Sequence, residues 1–386
     1  MDKVKQNLIQ HMETLCLKCG TRHSGSDGEH MAADYMVEYL SGLGLPVICE
    51  EFPSRGWKFE SFELYNVTKA SPVPGATACF FSGSADWEGK LLFICADQVN
   101  ALSALDVAGQ VCFIKHTGSV LDYNRIAEEL EALGALAAIF ISNRLAADTK
   151  VVRPPKLQRM GVATTDAYGT YFILDNPDDV YRLHIKAHSF DQISRNVVVR
   201  LGKGEKKGVI GGHYDTAPLI QGANDNASGT ATVLELARLM KDAELDMTLD
   251  FVAFSGEEYM EDTHPMGSDA YVKKHRGEDI RWMLNIDGGG DSFSKRYMRI
   301  GLPEKLPQLK YNTSDVKYTC VGGDNAPFCE AGIPVVWPSN QGCLGILHTA
   351  FDSIEHMNYD MLTQHTEEAL DLLQQLIAAT SGASGK

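Results

Sequence analysis

Five short segments of this chain hold acids or histidines in patterns that could do chemistry. They are GGHYDTAP with His213 and Asp215, GANDNASG with Asp225, FSGEEY with Glu257 and Glu258, NIDGGGD with Asp287, and LHTAFD with His348. His213 and Asp215 are two apart, so an extended backbone carries them on one side. An Asp in that position can hold the far N–H of the imidazole and raise its basicity toward a metal. Glu257 and Glu258 are adjacent and point oppositely in extended backbone, which suits one as a ligand and the other as a general base. Mixed imidazole and carboxylate ligation suits zinc, and manganese or cobalt less securely. One such acid or histidine alone is ordinarily a cap or a core hydrogen bond. Five in this order are not.

Charge bookkeeping argues for two ions. Asp225, Glu258 and Asp287 contribute −3 and two neutral histidines nothing. Two divalent ions bring +4, and a bridging hydroxide closes the sum at zero. Without metal, the converging carboxylates would repel and raise one another's pKa values. Ions about 3.5–4 Å apart can share a hydroxide and polarise a carbonyl together. A dinuclear site is expected.

Strand ends must position these residues, because an open α/β sheet builds its site there. From Asn196 onward, strands and helices alternate: GVIGGHYD, ASGTATVLELARLMKDA, MTLDFVAFSG, WMLNIDGGG, IPVVWP and a final helix from Tyr359 to Ala379. That alternation predicts an α/β fold with a mostly parallel mixed sheet sandwiched by helices. The first fifty residues read as two helices and a short strand, Val47 to Phe52. Residues 61–190 change texture, with short apolar runs KLLFICA, QVCFIKH and LAAIFIS and one helix, Tyr123 to Leu133. Lacking a cluster of acids and histidines, this block reads as a non-catalytic, β-rich inserted domain. The expected division is 1–60 and 191–386 for the catalytic domain, with 61–190 inserted. His184 and His188 fall among Val, Leu and Ile neighbours and read as surface strand residues.

Composition bounds the function. Of 386 residues, 44% are hydrophobic and 22% charged, which excludes disorder or fibrous repeats for the whole chain. A net charge of −16 argues against nucleic acid as a partner. There is no run of eighteen apolar residues for a membrane span, and the N-terminal stretch lacks the continuous apolar core of a signal peptide. The count of 9 cysteines suits free thiols in a reducing cytoplasm better than a disulfide framework.

The segments HYD, GANDNASG, SGEE, NIDGGG and HTAFD resemble the co-catalytic dizinc aminopeptidases of metallopeptidase family 28. RHSGSDGEHMAADYM resembles the family's opening helix and loop. DVAGQVCFIK with ALGALAAIFIS is similar to a protease-associated domain. The resemblance implies a zinc-exopeptidase, phosphorylase/hydrolase-like fold with that domain inserted. It also implies His213 and Asp287 on one Zn2+, Glu258 and His348 on the other, and Asp225 bridging them. Glu257 would be the general base and Asp215 would orient His213. The implied activity is removal of N-terminal residues from peptides with a free N-terminus, by a hydroxide bridging the zincs. Only 61 residues separate Asp287 from His348, too few for the lid domain of the dimerising amidohydrolase-type peptidases. A homo-oligomer is compatible with the pattern.

Two departures add candidates for contacting substrate. EEYMEDTHPMGS is longer than the family's link and adds His264, with Glu261 and Asp262. GGDNAPF stands where relatives read Ser-Asp-His, which makes Asp324 a candidate for shaping the site. His356 competes with His348 as a ligand, and the HTAFD match favours His348. Rival readings are a carboxypeptidase or dipeptidase of the glutamate carboxypeptidase type, a glutaminyl cyclase, and a non-catalytic receptor-like binding protein. The first needs an arginine for a terminal carboxylate, for which Arg281, Arg296 and Arg299 are available.

Overall fold

The computed structural model describes residues 3–142, 144, 146–150, 160–258, 265–291, 295–311, 313–320, 322–339 and 345–381. Strand Lys206–His213 runs through the middle of a 10-stranded mixed sheet. Thr248–Phe254 lies parallel on one side of it and Asp279–Asn285 parallel on the other. Val335–Ser339 continues the parallel set beyond Asp279–Asn285. Strands of this kind need cover on both faces, and Thr248–Phe254 is buried at every position.

Side-chain alternation sorts the two faces. Val199, Ile210, Phe251 and Ala253 enter one core with Leu8, Leu234 and Leu373, from helices Lys3–Glu13, Ser228–Met240 and Tyr359–Ser381. Their sequence neighbours Val198, Val209, Val252 and Phe254 enter the opposite core. There they meet Tyr271 of helix Gly267–Lys274 and Phe328 of helix Asn325–Glu330. Each side chain of this size contributes about 1.5–3 kcal/mol when fully buried. The sheet is therefore clamped from both sides, and its strand ends are held in place.

Antiparallel strands flank the parallel centre. Tyr181–Leu201 borders Thr248–Phe254 and pairs in turn with Val47–Asn66. On the other flank Tyr297–Gly301 runs antiparallel to Val335–Ser339. The short strand expected at 47–52 is in fact 20 residues long. Pro53 and Gly56 read locally as strand breakers, but the ladder to Tyr181–Leu201 carries the strand through them, with Trp57 fully buried. The boundaries drawn near 61 and 190 fall inside these two long strands. His184 and His188 lie in Tyr181–Leu201, as their neighbours predict.

A second sheet of 5 strands has the order Ala76–Ala78, Gly161–Thr165, Ala137–Ile141, Val111–Lys115, Leu92–Cys95, while Ala85–Gly89, between them in sequence, joins the large sheet beside Tyr181–Leu201. All neighbours but the first pair are parallel. Helix Val120–Ala132 covers one face through Tyr123, Ile126 and Leu130. Phe113 and Ile139 on the other face pack against Trp57, Leu183 and Ile185 of the long strands.

One expectation about cysteines is corrected: Cys320 and Cys329 form a disulfide. Gly322 and Gly323, at φ +103° and +52°, turn the chain back so that the two Cα atoms come within 5.7 Å. Cys16, Cys19, Cys49, Cys79, Cys95 and Cys112 are free thiols, and Cys343 lies outside the described residues. Among the described residues no helix is long and apolar enough to cross a membrane.

Candidate metal centre and its cleft

The parallel strands all end at one edge of the sheet, and the segments carrying His213, Glu257, Glu258 and Asp287 follow strand ends there. His213 is the last residue of Lys206–His213. Gly222, at φ +54°, turns the chain into Ala223–Ala227, which presents Asp225 ahead of helix Ser228–Met240. Glu257 and Glu258 follow Thr248–Phe254, Asp287 follows Asp279–Asn285, and His348 precedes the final helix. The Asp225–Asn226 peptide is cis.

Asp225 divides its carboxylate between two imidazoles. Its Oδ1 lies 3.2 Å from His213 Nε2, and its Oδ2 lies 3.5 Å from His348 Nε2. Asp287 Oδ1 approaches His213 Nε2 at 3.7 Å, and Glu258 Oε2 approaches His348 Nε2 at 3.4 Å. The result is two ligand triads, His213–Asp225–Asp287 and Asp225–Glu258–His348. In each, the ligand atoms lie within 4.8 Å of one another. His213 Nε2 is buried without a hydrogen-bond partner. An orphaned ring nitrogen facing converging carboxylates is the donor set a divalent cation takes.

The electrostatics follow from crowding acids in a dry site. Burial pushes Glu257 up to about 8, with Glu258 and Asp287 adding to the rise against Lys150 and His213. Burial also raises Asp287. For Asp225, burial and the Glu258 charge push upward, but His213 and His348 outweigh them and hold it low. Burial works against charging His348, yet Glu258 and Asp225 lift it to about 10. A concentrated demand for positive charge is what these shifts have in common.

The neighbours that hold the ligands were only partly foreseen. His213 Nδ1 lies 3.2 Å from the Asp215 backbone oxygen and 3.5 Å from its Oδ1. The Asp215 carboxylate has a second task, accepting the backbone N–H groups of Glu257 at 3.1 Å and Glu258 at 3.0 Å. Asp352, inside the HTAFD motif, accepts the N–H groups of Asn224 at 2.7 Å and Asp225 at 3.1 Å. Asn226 Oδ1 accepts from Gly229 and Gly288, at 2.9 and 3.1 Å, tying the Asp225 turn to the Asp287 strand end. Trp337 Nε1 and Ser339 Oγ both donate to the Asp287 carbonyl at 2.8 Å.

Two residues ahead of the second sheet's last strand, Gly161–Thr165, complete the site from outside the catalytic segment. Thr149 donates its N–H (3.0 Å) and hydroxyl (3.2 Å) to the His348 carbonyl. These bonds hold His348 at φ +60°, a left-handed conformation that costs a non-glycine residue about 1–2 kcal/mol. Lys150, buried, donates to Glu258 Oε2. No motif marks either residue, because each is joined to the site only through tertiary folding.

The weaker candidates fare differently. His264, with Glu261 and Asp262, lies outside the described residues. Asp324 is 1% exposed and is not among the residues lining the cleft, so it stands behind the ligands rather than against a substrate. Neither of its carboxylate oxygens has a hydrogen-bond partner, and burial pushes it to about 7. His356 bonds the Phe351 carbonyl at 2.7 Å in the turn before the last helix, and neither triad includes it.

Comparison with known proteins agrees with this architecture. The family model described as Peptidase family M28 matches residues 196–373. Aminopeptidase YwaD of Bacillus subtilis is 28% identical over 295 residues, covering 67% of this chain and 60% of that protein. Leucine aminopeptidase 1 of Paracoccidioides brasiliensis is 27% identical over 50% of this chain and 57% of its own length. The matches thus span less than two thirds of these relatives. Among solved structures, the zinc aminopeptidase BSAP from Bacillus subtilis superposes with a TM-score of 0.77 at 22% identity, covering 96% of this chain and 95% of that one. That likeness establishes the mixed α/β fold.

Proposed function

We propose that this chain, whose residues 196–373 match the model described as Peptidase family M28, is a member of that family and a metal-dependent aminopeptidase holding two zinc ions and acting on peptides with a free N-terminus. The observation that carries the reading is the shared carboxylate of Asp225, whose two oxygens face different histidines. His213, Asp225 and Asp287 would hold one ion, and Asp225, Glu258 and His348 the other. Manganese or cobalt fits the same donors. A pair of divalent ions bound there supplies Lewis-acid polarisation of a peptide carbonyl and acidifies water.

The remaining work falls to the chain's own groups. Glu257 belongs to neither triad, yet it lines the cleft beside both. It is the group free to take a proton from the attacking water and pass it to the leaving amine. Asp215 holds the Glu257–Glu258 backbone, so base and ligand keep a fixed offset. Thr149 and Lys150 close one side of the site and keep the His348 turn in place. Relatives named as aminopeptidases support the reaction class.

The test is mass spectrometry of a short peptide library with free and acetylated N-termini, incubated with zinc-loaded protein. Loss of single N-terminal residues from the free peptides only is the expected result. Glu257→Gln should lower kcat by about 10²–10⁴-fold while zinc content, measured by elemental analysis, stays unchanged. Near wild-type turnover in Glu257→Gln would overturn the base assignment, and C-terminal trimming would overturn the aminopeptidase reading.

A further inference from the structure

The cleft over the two triads has a volume of about 550 Å³ and is lined by two cations, Lys150 and Arg299. Lys150 is committed to Glu258. The Arg299 side chain makes no hydrogen bond or ion pair among the described residues, and its Nε is buried without a partner. The other two arginines of this region are engaged elsewhere. Arg281 pairs with Asp279 at 2.8 Å, Arg296 pairs with Glu368 at 2.5 Å, and neither lines this cleft.

Strand pairing explains why Arg299 stays in place without a salt bridge. Tyr297–Gly301 runs antiparallel to Val335–Ser339, with Arg299 directly opposite Trp337. Its guanidinium lies 4.3 Å from the Trp337 ring centroid and 5.3 Å from that of Tyr297. Trp337 is itself fixed by its N–H bond to the Asp287 carbonyl. Stacking holds the guanidinium plane while leaving its N–H fork without an acceptor, at a fixed position relative to a metal ligand. Such a fork matches a carboxylate.

We propose that Arg299 binds a carboxylate of the substrate, so that the enzyme selects peptides presenting an anionic group near the scissile bond. This rests on the peptidase reading above. With two divalent ions the three ligand carboxylates are neutralised, so an anionic substrate is not repelled from the cleft. Two further acids line the cleft: Glu257, the proposed base, and Glu330, which is exposed and makes no ion pair among the described residues. Three sources present the same chemistry: an acidic first residue, an acidic second residue, and the terminal carboxylate of a dipeptide.

Zinc-loaded full-length protein separates them with three substrate pairs: a tripeptide amide with Glu or Gln first, the same with Glu or Gln second, and dialanine with a free or amidated C-terminus. In at least one pair, the anionic member should exceed its neutral partner in kcat/KM by about 10–100-fold, the worth of a charged hydrogen bond. That ratio should fall toward one in Arg299→Ala and recover only partly in Arg299→Lys, whatever the absolute rates. Independently of turnover, glutamate should raise the unfolding temperature of the wild type more than glutamine does, and the difference should vanish in Arg299→Ala. Ratios near one in all three pairs, with neutral peptides still cleaved, overturn this proposal and leave the peptidase reading standing. No cleavage of any peptide overturns both.

Discussion

The side chain of Asp215 grips the backbone of Glu257: Oδ1 accepts the Glu257 N–H at 3.1 Å, while Oδ2 accepts the next N–H, that of Glu258, at 3.0 Å. One fully buried carboxylate therefore sets where the proposed base and the proposed ligand begin. Two parallel strand ends, Lys206–His213 and Thr248–Phe254, are joined through it.

Replacing Asp215 by Asn keeps one acceptor but turns an NH2 group toward the other backbone N–H. Donor against donor forces the Glu257–Glu258 turn to shift. Groups that orient metal ligands typically cost about 10–100-fold in affinity or activity when changed. Asp215→Asn should lower kcat and zinc affinity together by that order. Steady-state kinetics beside a zinc titration checks it, and a kcat within about twofold of wild type would count against the clamp.

Arg22 supports the Asp225 turn from beneath. Fully buried, it donates to the carbonyls of Tyr214 (2.7 Å), Gln221 (2.8 Å), Gly222 (3.0 Å), Leu15 (3.0 Å) and Gly20 (3.0 Å). A lysine offers a point charge without the planar fork, and a methionine leaves all five acceptors without it. Arg22→Met should destabilise the protein by about 3–5 kcal/mol, as expected for breaking a buried charged network. Arg22→Lys should lose less and still weaken zinc binding. Urea unfolding with a fixed m-value reports the first, and a zinc titration the second.

The proposed ligands and base were readable because each sits in a short polar segment, most of them following an apolar strand. His213, Asp225, Glu257, Glu258, Asp287 and His348 needed only local pattern. Arg22 and Lys150 were not readable in this way. Arg22 reaches Gly222 across 200 positions, and Lys150 meets Glu258 across 108, so neither partner can be read from the local segment, even though Arg22 opens RHSGSDGEHMAADYM. Arg299 was visible as one of three arginines, and only the pairing of strand Tyr297–Gly301 separates it from Arg281 and Arg296. The long strand Val47–Asn66 was hidden for a similar reason. Pro53 and Gly56 weaken its local signal, and its ladder to 181–199 is non-local.

Metal removal tests the shared ligand directly. Chelation should lower the unfolding temperature, because zinc at 100 times its Kd contributes about 2.7 kcal/mol per site to the folded state. Two zinc ions per chain should restore it. Asp225→Ala should reduce binding at both sites, whereas His348→Ala should reduce it at one. Calorimetric stoichiometry distinguishes these outcomes. Retention of one tightly bound zinc in both variants would sink the bridging role.

Far from the site, His275 joins the strand Val47–Asn66 to the helix Gly267–Lys274. Its Nε2 lies 3.0 Å from Glu50 Oε1 and its Nδ1 2.8 Å from Glu278 Oε1, with the Tyr271 ring 4.2 Å away. Burial and the Lys207 charge oppose protonation, but the two carboxylates outweigh them, so His275 is raised above its ordinary 6.5. Glu50 is lowered, because His275 and Lys274 together overcome the effect of burial. The raised histidine contributes stability that is fully present below pH 6.5 and lost as pH climbs through its folded value. The lowered Glu50 contributes above its ordinary 4.5 and is lost as pH falls through its folded value. Between those limits the pair stabilises most. The stability difference between wild type and His275→Gln should therefore peak at about pH 5–6 and shrink as the solution turns alkaline. Urea unfolding across pH 4–9 measures it, and a difference that grows with pH would refute the charged pairing.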